Sequence, residues 1–599
     1  MREQTFPAVS IEDWKQKSEE SLKGRKLETL EKNTFENIKL KPLYTKADQQ
    51  PASQFPAQSD FRRGIEPLGY VTQGWKVAQK LHLDQDLQVT LANAFEKGQS
   101  AISFEVEENY LSQLKALQEF HGKYPYSLNA KEHQATLLST ISEFPSANKG
   151  YGFIGKDPVA IISEKGLAAD TLAQIYDDFA NTVVEAHQAL PNIKTILVDT
   201  TTFHNGGANA VQELAIAVST GVQHIEELSV RGVSLDTILS KLVFQFSIGS
   251  NFFMEVAKLR AARIIWSRIT EAYGVEEDKR GMVISAVTSQ FTKTVHDPYV
   301  NMLRAGNEAF AAVLGGIQYL HVSPFNEPEG KATAFSDRIA RNTQLILKEE
   351  AHLTKTVDPA GGSWYVELLT TELAEKAWEL FLTIEEKGGV LEGLKQGFIQ
   401  TEISSVREKR EEAIAKRKQT IVGTNKYADL QGESLQVPLV GQEKETGFIA
   451  PIPQMRLSQS YESLRERAKK IKPVVGLITL GSLKSHKARA DFMTGFFAPG
   501  GIKVELSGEV HNADEALTFI EKTNYKHYCI CGTNELYEEV GNHMVKKLKE
   551  AYPQIQLYLA GMPDDKENWE GIQDFIHVKS NCYETISSIL DELEVGENE

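Results

Sequence analysis

Few residues in this chain are spaced for chemistry, and most of those read first as structure. Cys529 and Cys531 stand two apart in an apolar run, so they share one face of a strand, and buried thiols outweigh a metal site at that spacing. His204 lies in TTTFHNGGANAVQEL, where a general acid and a plain loop histidine are both open readings. His486 stands between Lys484 and Lys487, and its neighbours alone give a surface histidine. The sequence holds no Walker loop, no H-E-x-x-H and no G-x-S-x-G.

Composition narrows the classes further. A net charge of -17 argues against a nucleic-acid binder, because phosphate contacts need a basic face. Three cysteines, the third being Cys582, fit a reduced compartment without a disulfide framework. With no signal-like start and no apolar stretch approaching a membrane span, a cytoplasmic protein is expected. At 599 residues the chain is too long for one core.

The elements that must position these residues centre on FSDRIARNTQLILKEEAHLTKTVDPAGGSWYVE, residues 335–367. Its periodicity predicts a helix over 338–350 that buries Ile339, Ala340, Thr343, Ile346 and Leu347 and leaves Arg341, Lys348 and Glu349 in water. Asp358-Pro359 opens a turn, Gly361-Gly362 gives it backbone freedom, and residues 363–367 are expected to run extended. Upstream, candidate strands at 75–78, 101–106, 160–163, 195–199, 282–286 and 318–322 alternate with helical stretches such as 171–187 and 251–267. That alternation implies a parallel sheet, and the number of units suits an eight-stranded barrel. Residues 1–60 form an arm with too little apolar content for its own core; Trp14, Leu40, Pro42 and Tyr44 are its anchors, on this chain or on a partner. The barrel occupies 61–400, and a charged helix with a linker occupies 401–470, of which 429–453 reads as draped over the surface. From 471 to 599, VVGLITLG, IKVELSG, HYCICGT, IQLYLAG and DFIHVKS give five strands of a flavodoxin-like, doubly wound domain.

The same stretches carry a resemblance. TVDPAGGSWYVE with ELAEKAWELF, FSIGSNFFMEVAKLRAARIIW (246–266), HDPYVNMLR (296–304), AAVLGGIQYLH (311–321) and the arm sequence TFENIKLKPLYT resemble segments of the methylmalonyl-CoA mutase family, over nearly the whole chain. The resemblance implies an α/β chain, a (β/α)8 TIM-type barrel followed by a flavodoxin-like domain of the cobalamin-binding type. It also implies an enzyme that uses adenosylcobalamin to isomerise methylmalonyl-CoA and succinyl-CoA through radicals.

Particular residues depart from that pattern. Catalytic members carry D-x-H-x-x-G before the first helix of the C-terminal domain: the histidine ligates cobalt, the aspartate accepts its other N–H, and the glycine lets the chain approach the cofactor. The corresponding run here is Lys484-Ser485-His486-Lys487-Ala488-Arg489. His486 keeps the cobalt-ligand position, but Lys484 cannot accept an N–H and Arg489 stands where only hydrogen is tolerated. Round the nucleotide tail, Thr533-Asn534-Glu535 and Ala560-Gly561-Met562 replace small residues and a Gly-Gly pair. In the barrel Lys80 stands where the catalytic tyrosine is expected. His204 resembles the catalytic histidine in an altered register, His296 replaces a glutamine, and the substrate-lining run is shortened to 290–293. The resemblance thus implies the small, or beta, subunit of the heterodimeric enzyme, with no catalytic residue of its own. Adenosylcobalamin and the acyl-CoA would sit on a large (alpha) subunit partner. The alternative is an active cobalamin-dependent acyl-CoA isomerase with an unusual cofactor site.

Overall fold

A computed structural model describes residues 9–49, 55–82, 86–330, 332–436, 447–563 and 566–597. Two parallel sheets organise them. The first contains β1 (Lys76–Val77), β2 (Tyr126–Asn129), β3 (Gly152–Lys156), β4 (Ile193–Asp199), β5 (Leu242–Ile248), β6 (Ile284–Thr288) and β7 (Tyr319–His321), in the spatial order β1-β7-β6-β5-β4-β3-β2. Residues 101–104 complete it. Parallel bridges join Leu81 to Phe104 and Ile102 to Tyr126, and Ser127 N–H donates to Ile102 O while Leu81 N–H donates to Ser103 O. With β1 also paired to β7, the eight strands close into a barrel. Phe153, Leu197 and Val243 fill its axis with Val283 and Tyr319, and the Phe153 and Tyr319 rings meet edge to face at 5.2 Å. The interior is packed core.

The second sheet holds β8 (Val474–Leu480), β9 (Lys503–Val510), β10 (His527–Cys531), β11 (Gln556–Ala560) and β12 (Ile572–Ile576), ordered β9-β8-β10-β11-β12, all parallel. This 2-1-3-4-5 order is the flavodoxin-like one, with its crevice beside the carboxyl end of the first strand. Cys529, Cys531 and Cys582 are buried and free. No helix among the described residues is long and apolar enough to cross a membrane.

Several local expectations are corrected. Residues 160–163 belong to the helix Pro158–Lys165, because Asp157 caps the Val159 and Ala160 N–H groups and Pro158 fits the first turn; the strand is the preceding β3. Strands β2 and β5 fall in stretches where no strand was expected: β5 is fully buried and carries no alternation to read, and β2 alternates over only four residues. Residues 363–367 are not extended: Ser363 caps a helix of 23 residues, whose tertiary packing overrides the β preference of Trp364, Tyr365 and Val366. The expected helix over 338–350 is Ala334–Leu345 followed by a wider turn, Ile346–Glu350, closed by Ala351 N–H to Ile346 O. On it Arg341 is buried and Ile346 is 49 % exposed, the reverse of the pattern-based expectation.

The helices that matter for the site are α1 (Ala210–Val230), α2 (Phe252–Ala272), α3 (Ala334–Leu345), α4 (Trp364–Glu386), α5 (Phe398–Ala415), α6 (Gln459–Ile471) and α7 (Leu483–Phe497). The Asp358 turn is held by charge. Arg260 of α2 donates to Asp358 Oδ1 and Glu367 Oε1, both at 2.7 Å, and Arg62 and Arg63 approach Glu367 at 3.5 and 3.3 Å. Burial alone would raise the Glu367 carboxyl, but Arg260 and its other partners outweigh it and leave it below the usual value.

Replacing Glu367 by Gln strands buried guanidinium groups and is expected to cost about 3–5 kcal/mol of stability in urea unfolding. Lys487→Ala, which breaks the exposed pair with Asp491, should change stability by less than about 1 kcal/mol.

Candidate functional site

Barrel enzymes work at the carboxyl ends of their strands. Here that face holds a cavity of about 300 Å³, lined among others by Lys80, Asn129, Asp199, Gln245, His321 and Glu327. Much of its polarity is already spoken for. Asp199 accepts from Asn129 (2.7 Å), from the Thr201 hydroxyl (2.8 Å) and from Gln245 (3.1 Å). His321 Nδ1 accepts the Lys80 N–H at 3.1 Å, and burial, with Lys80 nearby, pushes its pKa well below the ordinary value, so the ring is neutral. Gln290 donates to Glu327 at 3.0 Å, and burial raises that carboxyl. Below, the filled barrel axis separates this space from a second cavity of about 230 Å³ at the opposite end, lined by Lys76, Lys194 and Gln318 among others.

His204 is not a loop residue. It sits in the short helix Thr201–Asn205, 7 % exposed, behind the wall of the cavity. Its Nδ1 lies 3.3 Å from Glu213 Oε2 and its Nε2 2.8 Å from Ser289 Oγ. A carboxylate only accepts, so Nδ1 carries a proton toward Glu213, and Nε2 pairs with the Ser289 hydroxyl. The order serine, histidine, carboxylate is that of an activated nucleophile. Yet Ser289 is wholly buried, so no substrate carbon reaches its oxygen. Glu213 also pairs with Lys258 at 2.7 Å, which in turn holds Glu255 at 2.6 Å. Burial would raise the Glu213 carboxyl, but Lys258 and then His204 outweigh it and hold it at about 2. The group is a buried polar bolt joining α1, α2 and the ends of β4, β5 and β6.

Sequence reasoning missed Glu213, Lys258 and Ser289. The available signal was Glu255 and Lys258 three apart in a helical run whose other charged residues up to Trp266 are Arg260 and Arg263. His296 is buried and neutral, its pKa lowered to about 3 by burial, Arg465 and Lys469, and it bridges to Ser434 of the linker rather than lining the mouth. Lys293 is fully buried against Glu308 at 2.7 Å.

The linker closes over this face. Ile452 N–H donates to Ser163 O, Met455 N–H to Asn205 O and Leu457 N–H to Phe291 O, while Gln454 reaches Thr202 O. Ser458 and Glu462 of α6 then bond to Lys293 O and Val295 N. Of the stretch expected as linker, residues 437–446 lie outside the described residues.

In the second domain His486 is not a surface residue either: it is 4 % exposed in the first turns of α7. Its Nδ1–H donates to Gly481 O at 3.2 Å, so a backbone carbonyl takes the supporting role that Lys484, which is exposed, cannot fill. Arg489 extends along the carboxyl edge of the sheet. Its guanidinium donates to Gly532 O and to Asn534 Oδ1 (2.5 Å) and stacks 4.7 Å above the Tyr537 ring. The Tyr537 hydroxyl accepts from Gly532 N–H (3.1 Å) and donates to Ala560 O (2.8 Å). A Cβ on Gly561, at positive φ, would come within 3.3 Å of the same guanidinium. Arg489 and Tyr537 thus occupy the crevice that a cobalamin nucleotide tail would enter, and these residues do not fit that group. Among the described residues no cluster of three or more metal-ligating side chains occurs.

Lys258→Met leaves Glu213 and Glu255 buried without their cation and is expected to cost about 3–5 kcal/mol in denaturant unfolding. Because the folded Glu213 pKa is depressed, its contribution is complete above about 4.5 and fades as pH falls toward 2. Acid unfolding of the parent should therefore steepen across that window, and the variant's should flatten.

Known proteins give the context. The methylmalonyl-CoA mutase family profile matches residues 33–110 and 139–490, well over half of the chain. The chain is 29% identical to the methylmalonyl-CoA mutase small subunit of Streptomyces virginiae, covering 99% of this chain and 98% of that one. It is also 29% identical to the small subunit from Porphyromonas gingivalis, over 98% and 97% of the two chains. With the probable small subunit of Mycobacterium bovis it shares 30% identity, over 94% and 92%. By profile, by these full-length relatives and by its barrel and flavodoxin-like sheets, this chain belongs to the methylmalonyl-CoA mutase family.

Proposed function

We propose that this chain is the small, non-catalytic subunit of an adenosylcobalamin-dependent methylmalonyl-CoA mutase. It pairs in the cytoplasm with a large subunit that holds the cofactor and does the chemistry. In this reading the chain is an arm (1–60), a barrel (61–400), a linker (401–470) and a flavodoxin-like domain (471–599), and its asset is its surface. The observation that carries the reading is the Arg489 guanidinium, seated on Tyr537 and bonded to Gly532 and Asn534 in the crevice of the second sheet. The barrel agrees with it: its two separate cavities, of about 300 and 230 Å³, lie at and below the lower end of the usual range for ligand pockets.

Pairing has a structural footing in the arm. Residues 32–48 dock on this chain: Ile38 joins the barrel core, Tyr44 meets Tyr365 at 4.7 Å, and Asn209 donates to Phe35 O at 2.8 Å. Glu36 accepts the Ala210 N–H at the start of the 21-residue α1, where the helix dipole favours a carboxylate. The helix Ile11–Ser21 buries none of its residues, and Ile11 is exposed. That outer part of the arm is the piece free to cover a partner.

Titrating the purified chain with adenosylcobalamin is expected to leave the corrin absorbance unchanged. Lys484→Asp with Arg489→Gly should not restore binding, since Tyr537 and Asn534 remain in the crevice; micromolar binding by the unaltered chain would overturn the reading. Deleting residues 1–31 should weaken co-purification with the large subunit and lower mutase activity of the mixture while leaving the melting temperature of this chain unchanged. A truncated chain that pairs like the parent would remove the arm from the interface.

A further inference from the structure

The face of α3 that turns inward carries two polar side chains that the barrel leaves unsatisfied. Arg341 is 5 % exposed, and its Nε has no hydrogen-bond partner among the described residues. Asp337, one turn earlier, attracts it electrostatically. One turn further on, Gln344 is wholly buried with neither its Oε1 nor its Nε2 bonded. Burial lowers the Arg341 pKa, yet a guanidinium stays charged at neutral pH. A buried guanidinium with an unbonded N–H is costly, and native structures rarely keep one without a use for it.

Arg341 opens onto a cavity of about 210 Å³ on the rim of the barrel, distinct from the mouth, with His82, Thr90, Asn93 and Lys97 on its other walls. Among the described lining residues Asp337 is the one carboxylate, so Arg341 and Lys97 leave the space net positive. Ala334, the first residue of α3, also lines it, which turns a helix N-terminus toward the same space. Leu81 and Ala94 give it an apolar floor. The wide turn Ile346–Glu350 follows directly, an irregularity that recurs near functional sites.

We propose that this rim cavity binds a small oxyanion, a carboxylate or a phosphate, with the Arg341 guanidinium as its principal contact. The planar fork of N–H donors suits either oxyanion. Lys97 and the start of α3 add positive potential, and the Asn93 amide offers a neutral donor at the wall.

The test titrates the full chain with inorganic phosphate and, separately, with propionate, each against chloride at matched ionic strength, by calorimetry and by melting temperature. Saturable binding of one or both is expected, and the stronger of the two identifies the source of the oxyanion. Arg341→Gln, which keeps polarity and loses the charge, should weaken that binding roughly tenfold or more. Arg341→Met, which removes the buried cation, should raise the ligand-free melting temperature and abolish the ligand-dependent rise. Absence of binding by both anions, binding unchanged in Arg341→Gln, or a lowered melting temperature in Arg341→Met would each overturn the assignment.

Discussion

Helix α2 carries three buried cations, Lys258, Arg260 and Arg263, and the barrel is assembled round the neutralisation of the first two. Lys258 turns toward the strand ends and takes Glu213 of α1 and Glu255 of its own helix; Arg260 turns outward and takes Asp358 and Glu367. A charge removed from water must be repaid by close, well-aligned partners, and here those partners come from elements distant in sequence. The same ion pairs therefore fix where α1 and α4 can lie against α2. The apolar packing among these three helices is extensive, but packing alone tolerates sliding, whereas charge pairing in a dry interior does not.

The polar residues at the barrel mouth follow the same logic. Around Asp199, Asn129, Thr201 and Gln245 supply the donors from within the chain, and behind it His204 is engaged on both ring nitrogens. A catalytic site keeps donors and acceptors available for a reacting group, at some cost to stability. In this mouth those capacities are largely turned inward. The linker adds backbone bonds from Ile452 to Leu457 across the same face. In the second domain the equivalent change is steric and electrostatic together: one long side chain at position 489 bridges two strand ends and stacks on an aromatic ring. Lys194, at the amino end of β4, illustrates the other end of the barrel, where burial lowers its pKa to about 8.

Much of the architecture was legible before any coordinates. Alternating strands and helices, five evenly spaced apolar runs after residue 471, and the Asp358 to Gly362 turn each express a local preference that tertiary contacts reinforced. So did the two cysteines placed on one buried strand. The readings at Lys80, Lys484 and Arg489 rested on the resemblance, taken residue by residue, and on residue type.

What only the tertiary structure decided were the partners. Whether residues 160–163 or 363–367 are strand or helix turned in part on a cap, Asp157 three residues before the first run and Ser363 at the start of the second. Burial of Arg341, His204 and His486 could not be read from their neighbours in sequence, since each is covered by elements far along the chain. Nor could the sequence pair Glu213 with Lys258 or Glu36 with the start of α1: periodicity says which face of an element is buried, and it is silent on what that face meets. Residue type determined which chemistry was absent from each motif; three-dimensional packing determined what took its place, because an ion pair or a hydrogen bond exists only once both ends have been brought within about 3 Å.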